Sequence, residues 1–156
     1  MISREEQAKI TDLVRETKEL IFQEMKNEKV TEKGAADYVT NVDLAVQNFL
    51  KEKLERVTPD IPLIAEEKEN KNLDPEGIYW ILDPIDGTTN LIHDYHLSAV
   101  ALGLYEKGEI IFGIVYNPFG KRKLFFCKNG FCKGAKFIVC SKSLQNAFDF
   151  WRHVAA

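Results

Sequence analysis

W-I-L-D-P-I-D-G-T-T-N-L, residues Trp80 to Leu91, changes character twice along its length. Trp80 to Leu82 is apolar and suits the end of a buried strand, which delivers Asp83 at its carboxyl edge. Pro84 has no N–H and so opposes continuation of either a helix or a strand ladder. Asp86 follows, then Gly87, which allows a tight turn or the close approach of a ligand. Thr88, Thr89 and Asn90 suit a helix N-terminus, where free N–H groups and the helix dipole attract anions. One short segment therefore offers two carboxylates for a cation and a donor-rich nest for a phosphate.

This segment divides a helical half from a β-rich half. Upstream, residues 3–27 read as a helix, with Ile10, Leu13, Val14, Thr17, Leu20 and Ile21 on one face. Residues 27–42 lack periodicity and read as a long loop, a kind of segment that often carries function. A second helix is expected from about Asp43 to Val57, burying Val46, Phe49, Leu50 and Leu54, with Thr40 and Asp43 forming a loose capping box. Short strands are expected at Ile61–Ala65 and Tyr79–Leu82. Downstream, Leu97–Tyr105, Glu109–Tyr116 and Lys123–Cys127 are β-rich runs separated by turns at Lys107-Gly108 and Asn117–Gly120, with a further strand candidate at Phe137–Cys140. The expected fold is α+β, two N-terminal helices packed on an antiparallel β-meander. The domain is read as residues 1–141. Residues 142–156 form an atypical tail, in which only a helix from Leu144 to Trp151 suggests itself.

The carboxylates gather further. Glu66 and Glu67 follow the Ile61–Ala65 strand, and one of them reaches the same edge as Asp83 if the two strands are neighbours. Asp37 and Asp43 flank the end of the loop and could close over it. Two carboxylates 4 Å apart repel by about 4 kcal/mol at an effective dielectric near 20, so such a cluster requires cations or protonation. Oxygen ligands without His or Cys favour Mg²⁺ or Mn²⁺ over zinc. Each piece taken singly has an ordinary reading: a D-P-x-D-G turn, a solvated Glu66-Glu67 loop, a helix cap at Asp43, an exposed Lys33, and surface or core-edge histidines at His93 and His96.

The whole chain narrows the alternatives. It has 156 residues, 45% hydrophobic and 29% charged, enough for a domain with a core. Its net charge of -3 argues against a general binder of nucleic acid or anionic membranes. The N-terminus lacks the apolar core of a signal peptide, and no run approaches the roughly 20 apolar residues of a membrane span. Cys127, Cys132 and Cys140 lack a paired zinc spacing and read as reduced thiols of a cytoplasmic protein, with zinc the minor alternative.

Asp37-Tyr-Val-Thr-Asn-Val-Asp43, Ala65-Glu66-Glu67 and Trp80–Asn90, in this order and spacing, resemble the inositol monophosphatase family of metal-dependent, lithium-sensitive phosphatases. Asn129-Gly-Phe-Cys-Lys-Gly134 is similar to a turn that follows the family's meander, with Asn129 in place of its first glycine. The resemblance covers residues 1 to about 141 and implies the first half of a layered αβαβα sugar-phosphatase fold. It implies that Glu66, Asp83 and the carbonyl of Ile85 hold a first Mg²⁺, and that Asp83 and Asp86 hold a second. It implies that Asp43 and Thr88 orient and deprotonate the attacking water, and that Gly87, Thr88 and Thr89 receive the substrate phosphate. Lys33, with one residue fewer between it and Asp37 than in the family, Asp37 itself and Glu67 would be accessory groups. The implied activity is that of a phosphoric monoester hydrolase acting on a small phosphorylated polyol or sugar, in a homodimer.

The resemblance also exposes a departure. Family members are nearly twice as long, and their second half adds a further aspartate ligand in a W-D-x-A-A type motif. The tail Phe150–Ala156 faintly echoes that motif with Arg152 at the aspartate's place. Two readings follow: a Mg²⁺-dependent phosphatase of inositol monophosphate or a related sugar phosphate, or a truncated, catalytically impaired fragment that binds metal and phosphate or serves as an interaction module.

Overall fold

The computed structural model describes residues 2–27, 29–34, 37–65, 74, 76–120 and 123–127, with side chains described outside 32–38 and 123–127. Helix α1 (Arg4–Glu24) opens on a capping box in which Ser3 and Glu6 bond each other's backbone, and it ends in a single 3₁₀ turn, Met25–Asn27. Strands β1 (Val30–Gly34) and β2 (Asp37–Thr40) pair antiparallel. Helix α2 (Asn41–Val57) follows directly. Then come β3 (Leu63–Ala65), β4 (Ile78–Asp86), the short helix α3 (Thr88–Ile92), β5 (Ala99–Glu106), β6 (Glu109–Tyr116) and β7 (Lys123–Cys127).

The larger sheet has the order β3-β4-β5-β6-β7. β4 to β7 form the antiparallel meander, and β3 adds a parallel edge in which Ala65 is registered with Leu82. Both helices cover one face. Ile10, Val14 and Ile21 of α1 and Val42, Val46, Leu50 and Leu54 of α2 join Trp80, Leu82, Leu102, Leu104 and Ile114 in one core. Leu13, Leu20 and Phe49 pack at its margin. The Trp80 ring is fully buried, and its N–H donates to Thr58 Oγ1 at 2.9 Å, so the polar edge of the ring is satisfied inside the core. The opposite face carries a smaller cluster of Ile64, Tyr79 and Ile81.

Three expectations need correction. Residues 27–42 are not a loop but contain the β1–β2 hairpin. Val30, Thr31, Val39 and Thr40, the β-branched residues, pair at its open end, and strands this short display too few apolar positions to show a period of two. Asn41 ties the hairpin to α1: its Oδ1 accepts the Lys29 N–H at 2.7 Å and its Nδ2 donates to Glu24 Oε2 at 2.8 Å. α2 accordingly starts at Asn41, two positions earlier than expected, with Thr40 as its cap.

The third correction concerns Pro84. β4 does not stop at Leu82 but continues to Asp86. Asp83 is registered with Ala101 and Asp86 with Ala99, so Pro84 and Ile85 together stand opposite Val100. The missing N–H of Pro84 is accommodated in a bulge instead of ending the strand. The extra residue shifts the alternation, and Ile85 joins Trp80 and Leu82 in the helix-side core. Strand limits differ elsewhere by small amounts: β3 begins at Leu63 and β5 at Ala99. The expected strand at Phe137–Cys140, the helix at Leu144–Trp151, Cys132, Cys140 and the tail lie outside the described residues.

Candidate functional site

The start of α2 and the end of β4 meet at one edge of the sheet, and the sequence dictates both. Thr40 caps α2: its Oγ1 accepts from the N–H groups of Val42 at 3.1 Å and Asp43 at 3.4 Å. The Thr40 hydroxyl proton goes to Asp43 Oδ2 at 2.7 Å, and the Thr40 N–H reaches the same oxygen at 2.8 Å. Oδ2 is thus committed to the cap, while Oδ1 faces across to α3. There Thr88 Oγ1 lies 3.3 Å away and is also 3.1 Å from the Ile85 carbonyl oxygen. A hydroxyl carries one proton, so at any moment Thr88 donates to one of these two acceptors.

Asp43 is 4% exposed, and burial raises its pKa above the ordinary Asp value of 3.8, partly offset by the hydrogen bonds from Thr40 and Thr88. A buried carboxylate with a raised proton affinity at a helix N-terminus is a better base than a free aspartate. Asp86 sits at the surface, yet the protein around its carboxyl also pushes its pKa up by desolvation. Asp83 is half-buried on the β4 bulge.

Gly87 turns the chain from β4 into α3 at φ 86° and ψ 46°. A Cβ there would meet Asn90 Nδ2 at 3.0 Å and Leu97 O at 3.2 Å, so glycine is required by both backbone and space. The first N–H groups of a helix have no intrahelical partner, and no side chain caps those of α3.

The structure brings Asp43, Asp83, Ile85, Asp86, Gly87 and Thr88 to one edge. Lys33 lies on β1 and Asp37 on β2, with their side chains outside the described residues. Glu66 and Glu67 lie outside them altogether, although Ala65 beside Leu82 confirms the strand adjacency on which their placement was argued. His93 and His96 are exposed, and among the described residues no group of three or more His, Cys, Asp or Glu side chains converges. The donor set present nonetheless fits a hard divalent cation. It consists of carboxylate and carbonyl oxygens, the Ile85 carbonyl has a second lone pair beside its Thr88 contact, and Mg²⁺ completes its shell with water. Ser98, expected within a strand, stands just before β5 and donates its hydroxyl to the Gly87 carbonyl at 2.9 Å. The signal of Ser98 in the sequence was a lone hydroxyl in an apolar run.

The sequence profile of the Inositol monophosphatase family matches residues 3–150. The chain belongs to the inositol monophosphatase family. Inositol-1-monophosphatase of Caulobacter vibrioides is 38% identical over 127 residues, covering 81% of this chain and 48% of that protein. The chain thus spans about half the length of this relative. A crystal structure of an IMPase/NADP phosphatase complexed with Mg²⁺ and phosphate superposes with a TM-score of 0.73 at 25% identity, over 90% of this chain and 62% of that one. A dual specific IMPase/NADP phosphatase bound with D-inositol-1-phosphate gives a TM-score of 0.72 at 25% identity, over 90% and 61%. The fold described above is the α+β arrangement of inositol monophosphatases. Among the described residues, no helix is long and apolar enough to cross a membrane.

Proposed function

We propose that this chain carries the metal- and phosphate-binding machinery of a Mg²⁺-dependent hydrolase of small phosphate monoesters, inositol monophosphate or a related sugar phosphate, working in the cytoplasm. The contact that carries this reading is Asp43 Oδ1 to Thr88 Oγ1 at 3.3 Å, made between the start of α2 and the start of α3. It couples a buried carboxylate to a hydroxyl beside the Asp83–Asp86 edge. A neighbouring structure in the same family is complexed with Mg²⁺ and phosphate, and another is bound with D-inositol-1-phosphate, which supports the cation and the substrate class.

Glu66, Asp83 and the carbonyl of Ile85 would hold one Mg²⁺, and Asp83 with Asp86 a second, Mn²⁺ being an alternative. When bound, such cations lower the pKa of a water and stabilise a leaving alkoxide. The chain's own part is proton handling and orientation. Thr88 donates to Asp43 and offers its lone pairs to a water, so a proton leaving that water passes through Thr88 to Asp43. Asp43 accepts it readily because burial has raised its affinity for a proton. The N–H groups at Gly87, Thr88 and Thr89 orient the phosphate for in-line attack. Lys33, Asp37 and Glu67 are accessory.

The test is phosphate release from inositol-1-phosphate with Mg²⁺, beside Asp86→Asn. The variant should lose roughly a hundredfold or more in rate, as a misplaced reacting group does. Equal rates in both chains would end the proposal. Because the chain spans 48% of its Caulobacter relative, a binding module is the second reading, and calorimetric Mg²⁺ binding without turnover would favour it.

A further inference from the structure

We propose that Ser98 and Asn90 are positioning residues of this site, clamping the Gly87 turn so that the Thr88 hydroxyl meets Asp43. The inference rests on the reading of the site given above. Gly87 is the joint between the carboxylates of β4 and Thr88 of α3. Its carbonyl oxygen receives two donors: the Leu91 N–H at 3.1 Å and the Ser98 hydroxyl at 2.9 Å. Both lone pairs of that oxygen are then used. The Gly87–Thr88 peptide is planar, so holding its oxygen also fixes the direction of the Thr88 N–H and the position of the Thr88 Cα from which Oγ1 hangs.

Ser98 is 1% exposed at the entry to β5. A buried hydroxyl is costly unless bonded, and Gly87 O is the acceptor it reaches. Asn90 adds two ties to the same return loop. Its side-chain Nδ2 donates to Leu97 O at 3.2 Å, and its main-chain carbonyl accepts the Tyr95 N–H at 2.9 Å. Within this loop Asp94 and His96 hold φ of 54° and 58°, left-handed values that non-glycine residues rarely keep. Such backbone persists only where the surroundings over-determine it. Here Asn117 Nδ2 bonds the His96 carbonyl at 3.2 Å and the His96 ring stacks on Phe119 at 4.8 Å. The loop is pinned on its outer side by the turn after β6, and its inner side grips Gly87.

Two measurements test the clamp. In single-turnover phosphate release, Ser98→Ala should lower the rate about tenfold, and in a Thr88→Ala background its effect should shrink below about twofold, because Ser98 acts through Thr88. A rate left within about twofold, or an equal loss in both backgrounds, would overturn the proposal. In the metal-free chain, amide exchange at Leu91 and Tyr95 should accelerate about tenfold in Ser98→Ala and Asn90→Ala, relative to Leu102 in β5. Unchanged exchange would also overturn it. If the unaltered chain releases no phosphate, the phosphatase reading fails, and the exchange measurement alone decides the clamp.

Discussion

Asp43 and Gly87 are the two residues on which the site turns, and each makes a prediction of its own. The folded-state pKa of Asp43 lies above 3.8 because burial outweighs its hydrogen bonds. The sign is opposite to that of a salt-bridged aspartate. Between 3.8 and the raised folded value, the folded chain still holds a proton that the unfolded chain has released, so stability falls as pH rises through that window. Metal-free urea titrations across this range should show that Asp43→Asn removes a negative contribution to the slope of stability against pH, so the slope of the variant is the more positive of the two. A slope unchanged by the substitution would remove the burial argument. Gly87→Ala should destabilise by roughly 1–3 kcal/mol, since alanine resists the left-handed backbone and its Cβ meets atoms that are bonded to each other. The shift in urea midpoint reads this directly. Both residues were legible in the sequence, Gly87 as a turn and Asp43 as the acidic member of a capping box. What the sequence could not give was the contact from Asp43 to Thr88, which depends on where two helix starts meet in space.

At the scale of elements, the capping of α2 and the bulge of β4 set the geometry. Thr40→Ala deletes the hydroxyl that caps α2 and bonds Asp43 Oδ2, and should cost about 1–2 kcal/mol in chemical denaturation. Thr40→Ser keeps both bonds and should recover most of that loss. A Thr40→Ala chain as stable as the parent would show that the box contributes nothing. The two helices and the meander were legible from periodicity and turn residues, because long amphipathic faces repeat their signal. The β1–β2 hairpin was not. Its strands are short and polar, and ladder pairing, which leaves no hydrophobic pattern, supplies their structure. The continuation of β4 past Pro84 was missed because a proline ends a regular ladder but is tolerated in a bulge.

For the molecule as a whole, cation binding and folding should be linked. A cation held at the Asp83–Asp86 edge relieves the carboxyl that desolvation has pushed up, and a ligand that binds only the folded state stabilises it. Mg²⁺ at ten times its dissociation constant should add about 1.4 kcal/mol, and Asp86→Asn should lose most of that gain. A melting temperature indifferent to Mg²⁺ and to its chelation would count against a cation at this edge. The family could be read from the motif order alone, whereas the position of Glu66 relative to Asp83 could be argued only as far as the parallel pairing of Ala65 with Leu82.

The two oxygens of Asp43 serve different masters: one closes a helix, the other meets Thr88. Under the proposed reaction, variation at this position is filtered twice, once by whether the protein persists and again by whether it turns over. Substitutions elsewhere on α2 could drift under the first filter alone. A mutational library scored separately for abundance and for turnover should find position 43 intolerant on both axes, and Thr88, on the opposite side of the contact, intolerant mainly on the second.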